Sequence, residues 1–524
     1  MCGIIGYTGP LDSKKILLNG LTQLEYRGYD SAGAALCMEN SHICLVRRTG
    51  KVANLKETME RITDVSHCGL GHTRWATHGG VTTQNTHPHQ AGKVTLVHNG
   101  IIENYHQLTE QFHLEAKLHS ETDSEVAAWV LDSLYQGDPL EAITRLVALI
   151  KGSYSFCIMF EDYPGEIYVA RKDSPMILGV ENGESYIASD VPAILKYTRN
   201  VYYIGNLEFA RLTPGEAYFY NLNGEEIEKQ TTQIEWDAEA AEKAGFEHFM
   251  MKEIHEQPKA IQDTLNSVIK DGAIDFSRLE LTREEILSFE QIYIVACGSA
   301  WHVGMDAQYV LEDMARIPVR VELASEFRYR PMALNQNALV IVISQSGETA
   351  DQLAALRLAK EKGMTTLATE NVVGCSIARV ADKASHTLAG PEISVATTKA
   401  YSAQLAAMYC IAVEFAFVRG KITEKQYVYY ISELLTIAPK INKILEDKER
   451  LQWFAAKYAG AHDVFFVGRG IDYAVSLEGS LKLKEISYIH SEAYAAGGLK
   501  NGTISLIEPG TWEVGELTQS KLKE

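Results

Sequence analysis

The sequence is short of cysteine, and none of it is paired. Eight cysteines in 524 residues, with no C-x-x-C spacing, build neither a disulfide framework nor a zinc knuckle. A reducing, cytoplasmic setting is therefore expected, with Cys37, Cys44, Cys68, Cys157, Cys375 and Cys410 as core or surface thiols. Positive charge is also scarce: 49 Lys and Arg stand against 68 Asp and Glu, a formal charge of −19. A general binder of nucleic acid or of an anionic membrane is basic, so neither partner is expected. Anionic small substrates remain possible where local groups bind them. No apolar run reaches the roughly 18 residues that read as a membrane-spanning helix, and the N-terminus lacks the charged-then-apolar order of a secretory signal.

What is present is ample material for several cores. The chain is too long for one, and its 46% hydrophobic and 22% charged content is that of a globular protein. Up to about residue 220, short apolar runs read as strands: Ile4–Tyr7, Ala32–Met38, Ile43–Val46, Val94–Val97, Tyr154–Phe160, Ile167–Ala170 and Glu216–Tyr220. Helical stretches interrupt them near Asp12–Leu24, Asp123–Leu134 and Pro139–Ile150, which predicts an α+β domain of layered sheets with helices outside. An acidic, helix-favouring connector follows, with Glu225-Glu226, Asp237-Ala238-Glu239 and Glu242-Lys243. Ile261, Leu265, Val268 and Ile269 then fall at helical spacing. From about residue 290, strand and helix alternate in the doubly wound α/β pattern. The strand Ile292–Val295 runs into Ala296-Cys297-Gly298-Ser299, Ala338–Ile343 runs into Ser344-Gln345-Ser346-Gly347-Glu348-Thr349, and Thr365–Thr369 is a third. A weak internal repeat begins at Val464–Val467, which ends in Gly468-Arg469-Gly470. Ser491-Glu492-Ala493-Tyr494 echoes Ser325-Glu326-Phe327-Arg328, and Ile504–Ile507 takes the place of Ala338–Ile343. The second copy is only half present, its last segment Trp512–Glu516 is poor in strand pattern, and the C-terminus reads as truncated.

The opening Met1-Cys2-Gly3-Ile4 is the first candidate for chemistry. Small residues at positions 2 and 3 favour removal of Met1, which leaves Cys2 with a free α-amine beside its thiol. An α-amine has a reference pKa of about 7.7–8.0 and can serve as the base for its own side chain. Alone, Cys2 reads better as a small hydrophobe in a first strand. Around it stand His72-Thr73-Arg74-Trp75-Ala76-Thr77-His78-Gly79, His98-Asn99-Gly100 and Glu121-Thr122-Asp123. A thiolate attacking a side-chain amide develops an oxyanion that needs fixed donors, and the Asn99 amide and the Gly100 N–H supply that chemistry. Arg74 can hold an α-carboxylate through its planar fork, and Asp123 can accept from an α-ammonium. Singly, each has an ordinary reading: Asn99-Gly100 as a hairpin turn, Arg74 as a surface ion pair, Asp123 as a helix N-cap. Jointly, with Cys2 at the terminus, they favour glutamine hydrolysis. His72, His78, His87, His89 and His98 match no zinc spacing and are expected as core or loop histidines.

Met1-Cys2-Gly3-Ile4, Glu25-Tyr26-Arg27-Gly28-Tyr29-Asp30-Ser31-Ala32-Gly33, Gly71–Gly79 and His98-Asn99-Gly100 resemble the N-terminal-nucleophile glutamine amidotransferases. Among these the resemblance, which extends to about Gly510, is to the isomerizing glutamine–fructose-6-phosphate aminotransferases. It implies an αββα amidotransferase domain over residues 2–218, a linker over 219–285, a sugar isomerase (SIS) domain over 286–425 and a partial second one over 455–524. It implies Cys2 as nucleophile, Asn99 and Gly100 as oxyanion hole, Arg74, Thr77, His78 and Asp123 around bound glutamine, and Trp75 as a gate to an ammonia channel. No metal or organic cofactor is required.

Ser344-Gln345-Ser346-Gly347-Glu348-Thr349 places hydroxyls, an amide and backbone N–H groups at a helix start. That cradle suits an anion, and Thr349 could equally be a plain cap. The resemblance makes Ser344, Gln345, Ser346 and Thr349 the phosphate loop of a sugar isomerase domain, with Ser299 and Val395 on companion loops around the sugar. On the amphipathic stretch Leu481–Glu492, it makes Glu485 the base that moves a proton between neighbouring carbons, with Lys482 beside it on the same face. Two departures stand out. Ala496-Gly497-Gly498-Leu499-Lys500-Asn501-Gly502 carries Asn501 where the family has a ring-opening histidine and Gly498 where it has a carboxylate, and the family's tail with its Schiff-base lysine has no counterpart. The resulting expectation is an enzyme making glucosamine 6-phosphate and glutamate from fructose 6-phosphate and glutamine, a homodimer if the last domain folds. The alternatives are a glutaminase that only binds sugar phosphate and an inactive remnant. A phosphoribosyl-transferring amidotransferase is disfavoured because its diphosphate-binding acidic strand motif does not occur.

Overall fold

The computed structural model describes residues 2–39, 41–76, 79–234, 244–275, 277, 280–508 and 510–518. The chain folds as two compact units, Met1–Ala241 and Glu242–Glu524.

The first unit is built on two antiparallel sheets. In one, strand Gly3–Thr8 lies between Cys68–Arg74 and Glu184–Ala188, and Ser31–Cys37 flanks Cys68–Arg74. In the other, Val94–Ile102 pairs with Gly152–Phe160, which pairs with Ile167–Lys172. Side chains alternate across each sheet. Ile4, Leu70 and Ile187 therefore meet Val97, Cys157 and Val169 of the opposite sheet in one core. Ile5, Tyr7 and Ala34 turn outward against Ile16, Leu17 and Leu21 of helix Ser13–Leu24. On the far side, helices Asp123–Leu134 and Pro139–Leu149 cover Leu96, Phe156 and Ile158. These are the expected αββα layers, and with both faces covered every residue of Gly3–Thr8 is buried.

The first run of strands falls where the apolar runs place it. Strand Cys68–Arg74 is not among those expected, because Cys-Gly-Leu-Gly-His-Thr-Arg has no aliphatic alternation. Its glycines are steric: a Cβ on Gly71 would lie 2.8 Å from Ile5 Cγ2 and 3.1 Å from Leu21 Cδ1. The connector expected to be helical differs too. Glu226–Ile227 and Thr232–Gln233 are short strands that extend the two sheets, while Asp237-Ala238-Glu239 and Glu242-Lys243 lie outside the described residues.

The second unit begins with helix Phe249–Val268, which buries Ile261 and Leu265. Its main sheet is parallel throughout, in the order Val319–Leu323, Gln291–Ala296, Ala338–Ser344, Thr365–Glu370, Lys383–His386. Strands covered on both faces must be apolar along their whole length. Strand Ala338–Ser344 shows no polar alternation for that reason. Leu339, Ile341 and Ile343 face Val303 and Leu311 of helix Ser299–Met314, while Val340 and Val342 face Leu353 and Leu356 of helix Ala350–Glu361. Helix Lys399–Val418 is 20 residues long with a mean hydropathy of 1.4, enough by length and composition to cross a membrane. Its burial is that of a core helix, with Met408, Cys410 and Phe415 at 0% exposure.

A second parallel sheet follows, ordered His490–Ala495, Asp463–Gly468, Trp512–Gly515. The repeat is therefore present, with two corrections to its register. Ser491–Tyr494 lies in a strand and not in a helix like Ala324–Tyr329. The third strand is Trp512–Gly515, whereas residues 503–506 form a single tight turn. Trp512–Gly515 carries no strand signal because all four of its residues are exposed, so no buried face imposes an apolar period.

Candidate functional site

Cys2 leads directly into the buried strand Gly3–Thr8, which fixes its backbone. Its carbonyl accepts from Arg27 Nε at 3.2 Å and from Asn99 Nδ2 at 3.0 Å. Its Sγ lies 3.3 Å from the Trp75 backbone N–H. Burial pushes the thiol pKa up, while the Trp75 N–H and the Arg74 guanidinium pull it down and the Asp30 carboxylate opposes them. A free thiol in this position is inert until something takes its proton, so an adjacent base matters more here than at an exposed cysteine.

Of the groups expected around Cys2, Arg74 ends one strand, Asn99 and Gly100 lie on another, and Asp123 opens a helix. Arg74 closes strand Cys68–Arg74, is 4% exposed, and donates to the carbonyls of Gly80 at 3.1 Å and Gly79 at 3.4 Å. It thereby holds the loop that leaves the strand. Thr77 and His78 on that loop lie outside the described residues. Trp75 is 43% exposed, with its ring edge-on to Tyr29 at 5.2 Å. Asn99 and Gly100 lie in strand Val94–Ile102 and not in a hairpin turn. Gly100 has φ +137°, and a Cβ there would sit 2.1 Å from the Ser153 carbonyl oxygen, so no other residue fits without moving the strand. Asp123 is the first residue of its helix, and the capping is done by Thr122. Its Oδ2 accepts from the Ile102 N–H at 2.8 Å.

Three residues of this site have no role assigned from the sequence. Arg27, buried at 7%, bridges the Cys2 carbonyl and Asp190, the latter at 2.6 Å. Asp30 accepts from the Ala76 N–H. His72 lies 3.1 Å from Asn99 Oδ1. The legible signal is charge and imidazole inside glycine-containing strings, where a buried polar group must have a partner. Of the histidines expected in the core or on loops, His72, His87, His89 and His98 are buried, and His78 lies outside the described residues. Burial drops His72 and His89 to about 3 and His87 well below its ordinary value, and no cluster able to hold a metal ion occurs among the described residues.

The second site lies at strand ends of the other unit. Ser344 Oγ accepts from the Gly347 N–H at 3.0 Å, and Ser346 Oγ from the Glu348 N–H at 3.3 Å, which curls the loop. Gly347 has φ +67°, and a Cβ there would fall 2.0 Å from Cys375 Sγ. Thr349 is the N-cap of helix Ala350–Glu361 but makes no side-chain capping bond, so the first-turn N–H groups keep their capacity for an anion. Gln345 and Ser346 are half-buried. Ser299 opens helix Ser299–Met314 after Gly298 at φ 58°. Val395 is 59% exposed on a loop anchored from both sides. Glu253 accepts from the N–H groups of Ile393 and Ser394, and Glu392 from those of Thr398 and Ala400. Lys482 and Glu485 pair at 2.5 Å on helix Ile471–Ser487. That helix is tied to the one carrying Ser299 through His302 Nδ1 and Glu478 Oε2 at 2.7 Å. Asn501 is exposed, and its backbone N–H bonds the Gly498 carbonyl at 2.9 Å.

Family comparisons agree with this division. A glutamine amidotransferase domain matches residues 72–196, and a SIS domain matches 285–414 and 457–513. A glutamine–fructose-6-phosphate aminotransferase (isomerizing) of Caldanaerobacter subterraneus is 50% identical over 528 aligned residues, covering 100% of this chain and 87% of the relative. The protein of that name from Clostridium acetobutylicum is 49% identical, covering 100% and 86%. Among solved structures, the C-terminal domain of glucosamine-fructose-6-phosphate aminotransferase from Francisella tularensis is 37% identical, with a TM-score of 0.53, over 54% of this chain and 80% of that one.

Proposed function

The chain belongs to the isomerizing glutamine–fructose-6-phosphate aminotransferase family, and we propose how its residues divide that reaction. The enzyme makes D-glucosamine 6-phosphate and L-glutamate from D-fructose 6-phosphate and L-glutamine. Cys2 attacks the glutamine side-chain amide. Asn99 and the Gly100 N–H receive the oxyanion, Arg74, Thr77, His78 and Asp123 hold the amino-acid end, and Trp75 gates release of ammonia. The loop Ser344–Thr349 holds the phosphate, with Ser299 and Val395 around the sugar. Glu485 moves the proton between neighbouring carbons, and Lys482, its ion-pair partner, keeps it in place. Met1 removal supplies the α-amine that deprotonates Cys2. The observation that carries this reading is the Cys2 setting: thiol on the Trp75 N–H and carbonyl on the Asn99 amide.

The test is product formation by the purified 524-residue chain given glutamine and fructose 6-phosphate. Glutamate and glucosamine 6-phosphate in equal amounts support the reading. Glutamate and ammonia without amino sugar favour the second reading, a glutaminase that binds sugar phosphate. Asn501 favours that second reading, since an amide cannot deliver a proton where the family uses an imidazole. The chain is read as a cytoplasmic homodimer, in keeping with its eight free thiols and the family's paired isomerase domains. Light scattering on the purified chain checks the dimer.

A further inference from the structure

We propose that His72 is a positioning residue for glutamine hydrolysis: its Nε2–H holds the Asn99 side chain with the amide nitrogen turned toward Cys2. Two backbone carbonyls, which can only accept, set this polarity. His72 Nε2 lies 3.2 Å from the His98 carbonyl oxygen and 3.1 Å from the Asn99 side chain. The first contact requires that Nε2 carry the proton, which fixes the tautomer. A donating Nε2 then requires that the facing Asn99 atom be its oxygen. At the other end of the amide, the Cys2 carbonyl at 3.0 Å requires a donor, which only Nδ2 provides. The chain His98 C=O, His72 N–H, Asn99 amide, Cys2 C=O therefore has one consistent polarity. Reversed, Asn99 would point an oxygen at the substrate oxygen where negative charge develops.

Three surroundings keep His72 in this state. It is fully buried and stacks on His87 with ring centroids 4.0 Å apart. Burial also drops its pKa to about 3, so the ring stays neutral throughout the working range of an amidotransferase. A neutral ring brings no net charge to the oxyanion, and its effect passes through Asn99. Removing one donor from an oxyanion site costs about 100- to 1,000-fold in kcat, and freeing that donor to rotate should cost less.

This role presupposes glutamine hydrolysis at Cys2, which loss of hydrolysis in Cys2→Ala tests separately. The experiment compares His72→Phe, which keeps a flat ring without a donor, with His72→Gln, which restores an N–H. Glutaminase kcat is expected to fall on the order of 10-fold or more in His72→Phe, with KM within about threefold, and to recover in large part in His72→Gln. Alkylation of Cys2 by iodoacetamide, which needs the thiol but no oxyanion donor, should keep its rate. In an Asn99→Ala background, His72→Phe should cause no further loss. An equal loss in both backgrounds, or a parallel loss of alkylation, overturns the proposal. Should His72→Phe fail to fold, His72→Asn, whose amide is too short to reach Asn99, gives the same comparison against His72→Gln.

Discussion

The two candidate sites are held in place by different means. The groups around Cys2 sit on strands of a double sheet and, for Asp123, at the start of the helix that covers it. Arg74, Asn99 and Asp123 are 4%, 8% and 5% exposed, each with a hydrogen bond that sets its direction. The sugar-side groups sit at helix ends and on a loop. Val395 is 59% exposed, and the Glu485 side chain is 34% exposed. The helix that carries Lys482 and Glu485, Ile471–Ser487, backs onto a three-stranded sheet whose strand Trp512–Gly515 is exposed along its whole length. Strands covered on both faces fix Arg74, Asn99 and Gly100 before substrate arrives and tolerate almost no change there. Helix ends give a site whose geometry depends on a few packing and ionic contacts.

The contrast can be broken from either side. Cys2→Ala removes the proposed nucleophile and should abolish glutamine hydrolysis, while sugar-phosphate affinity, measured by calorimetry, stays unchanged. Residual hydrolysis beyond a trace would remove Cys2 from its role. Gly100→Ala should come next. Its methyl meets the Ser153 carbonyl at 2.1 Å and its φ of +137° is strained for any side chain. Glutaminase kcat should fall about 100-fold or more as the Gly100 N–H is turned away. His302→Ala acts on the other unit. It takes from Glu478, itself buried, the partner 2.7 Å away and leaves it Lys482 at 3.5 Å, and loss of a hydrogen bond to a charged group typically costs about 1.5–3 kcal/mol. Sugar-phosphate affinity and the melting of that unit should suffer with glutaminase kcat unchanged. An unchanged affinity would show that the Ser299 and Lys482 helices are aligned by apolar packing alone.

How much of this is legible in the sequence follows the same line. Where burial on both faces demands an unbroken apolar run, as in Ile4–Tyr7 or Ala338–Ile343, strand and sequence agree within a residue or two. Where buried positions hold polar residues and glycines, as in Cys68–Arg74, the apolar run vanishes and the strand cannot be read. The motif residues give the Cys2 site its membership. They cannot give direction, since nothing in the string His72-Thr73-Arg74 says that an imidazole orients an amide on another strand. In the second repeat the difference is one of register: Ser491–Tyr494 shares letters with a helix and forms a strand because it pairs with Val464–Val467. Pairing partners far apart in sequence settle strand identity more firmly than local composition.

The smallest predicted effect is the most general, because it sets the two units against each other on one axis. In the first unit, burial drops His72 and His89 to about 3. The unfolded chain takes up a proton near its ordinary value of about 6.5 that these folded histidines refuse, so their contribution to stability is present above that pH and is lost as pH falls below it. In the second unit, burial pushes Asp306 up to about 7, with the neighbouring Tyr401 hydroxyl pulling it down and Glu516 and Glu478 adding to the rise. Burial likewise brings Glu253 to about 7, with Glu392 adding to it. These folded carboxyls keep a proton that the unfolded chain releases near about 4, so their contribution is full below that pH and is lost as pH rises through about 7. Between about pH 7 and pH 5 the two calorimetric transitions should therefore move in opposite directions, the histidine-bearing unit downward and the carboxyl-bearing unit upward. Asp306→Asn keeps an acceptor for the Tyr401 hydroxyl, now 2.8 Å from Asp306 Oδ2, and has no charge to bury. It should flatten the second slope and raise that transition at about pH 8 by on the order of 3 °C, leaving the first untouched. A second transition that rises with pH, or one indifferent to Asp306→Asn, would show that the buried carboxyls are ionised in the folded chain, and the difference between the two units would then lie in their strands and helices alone.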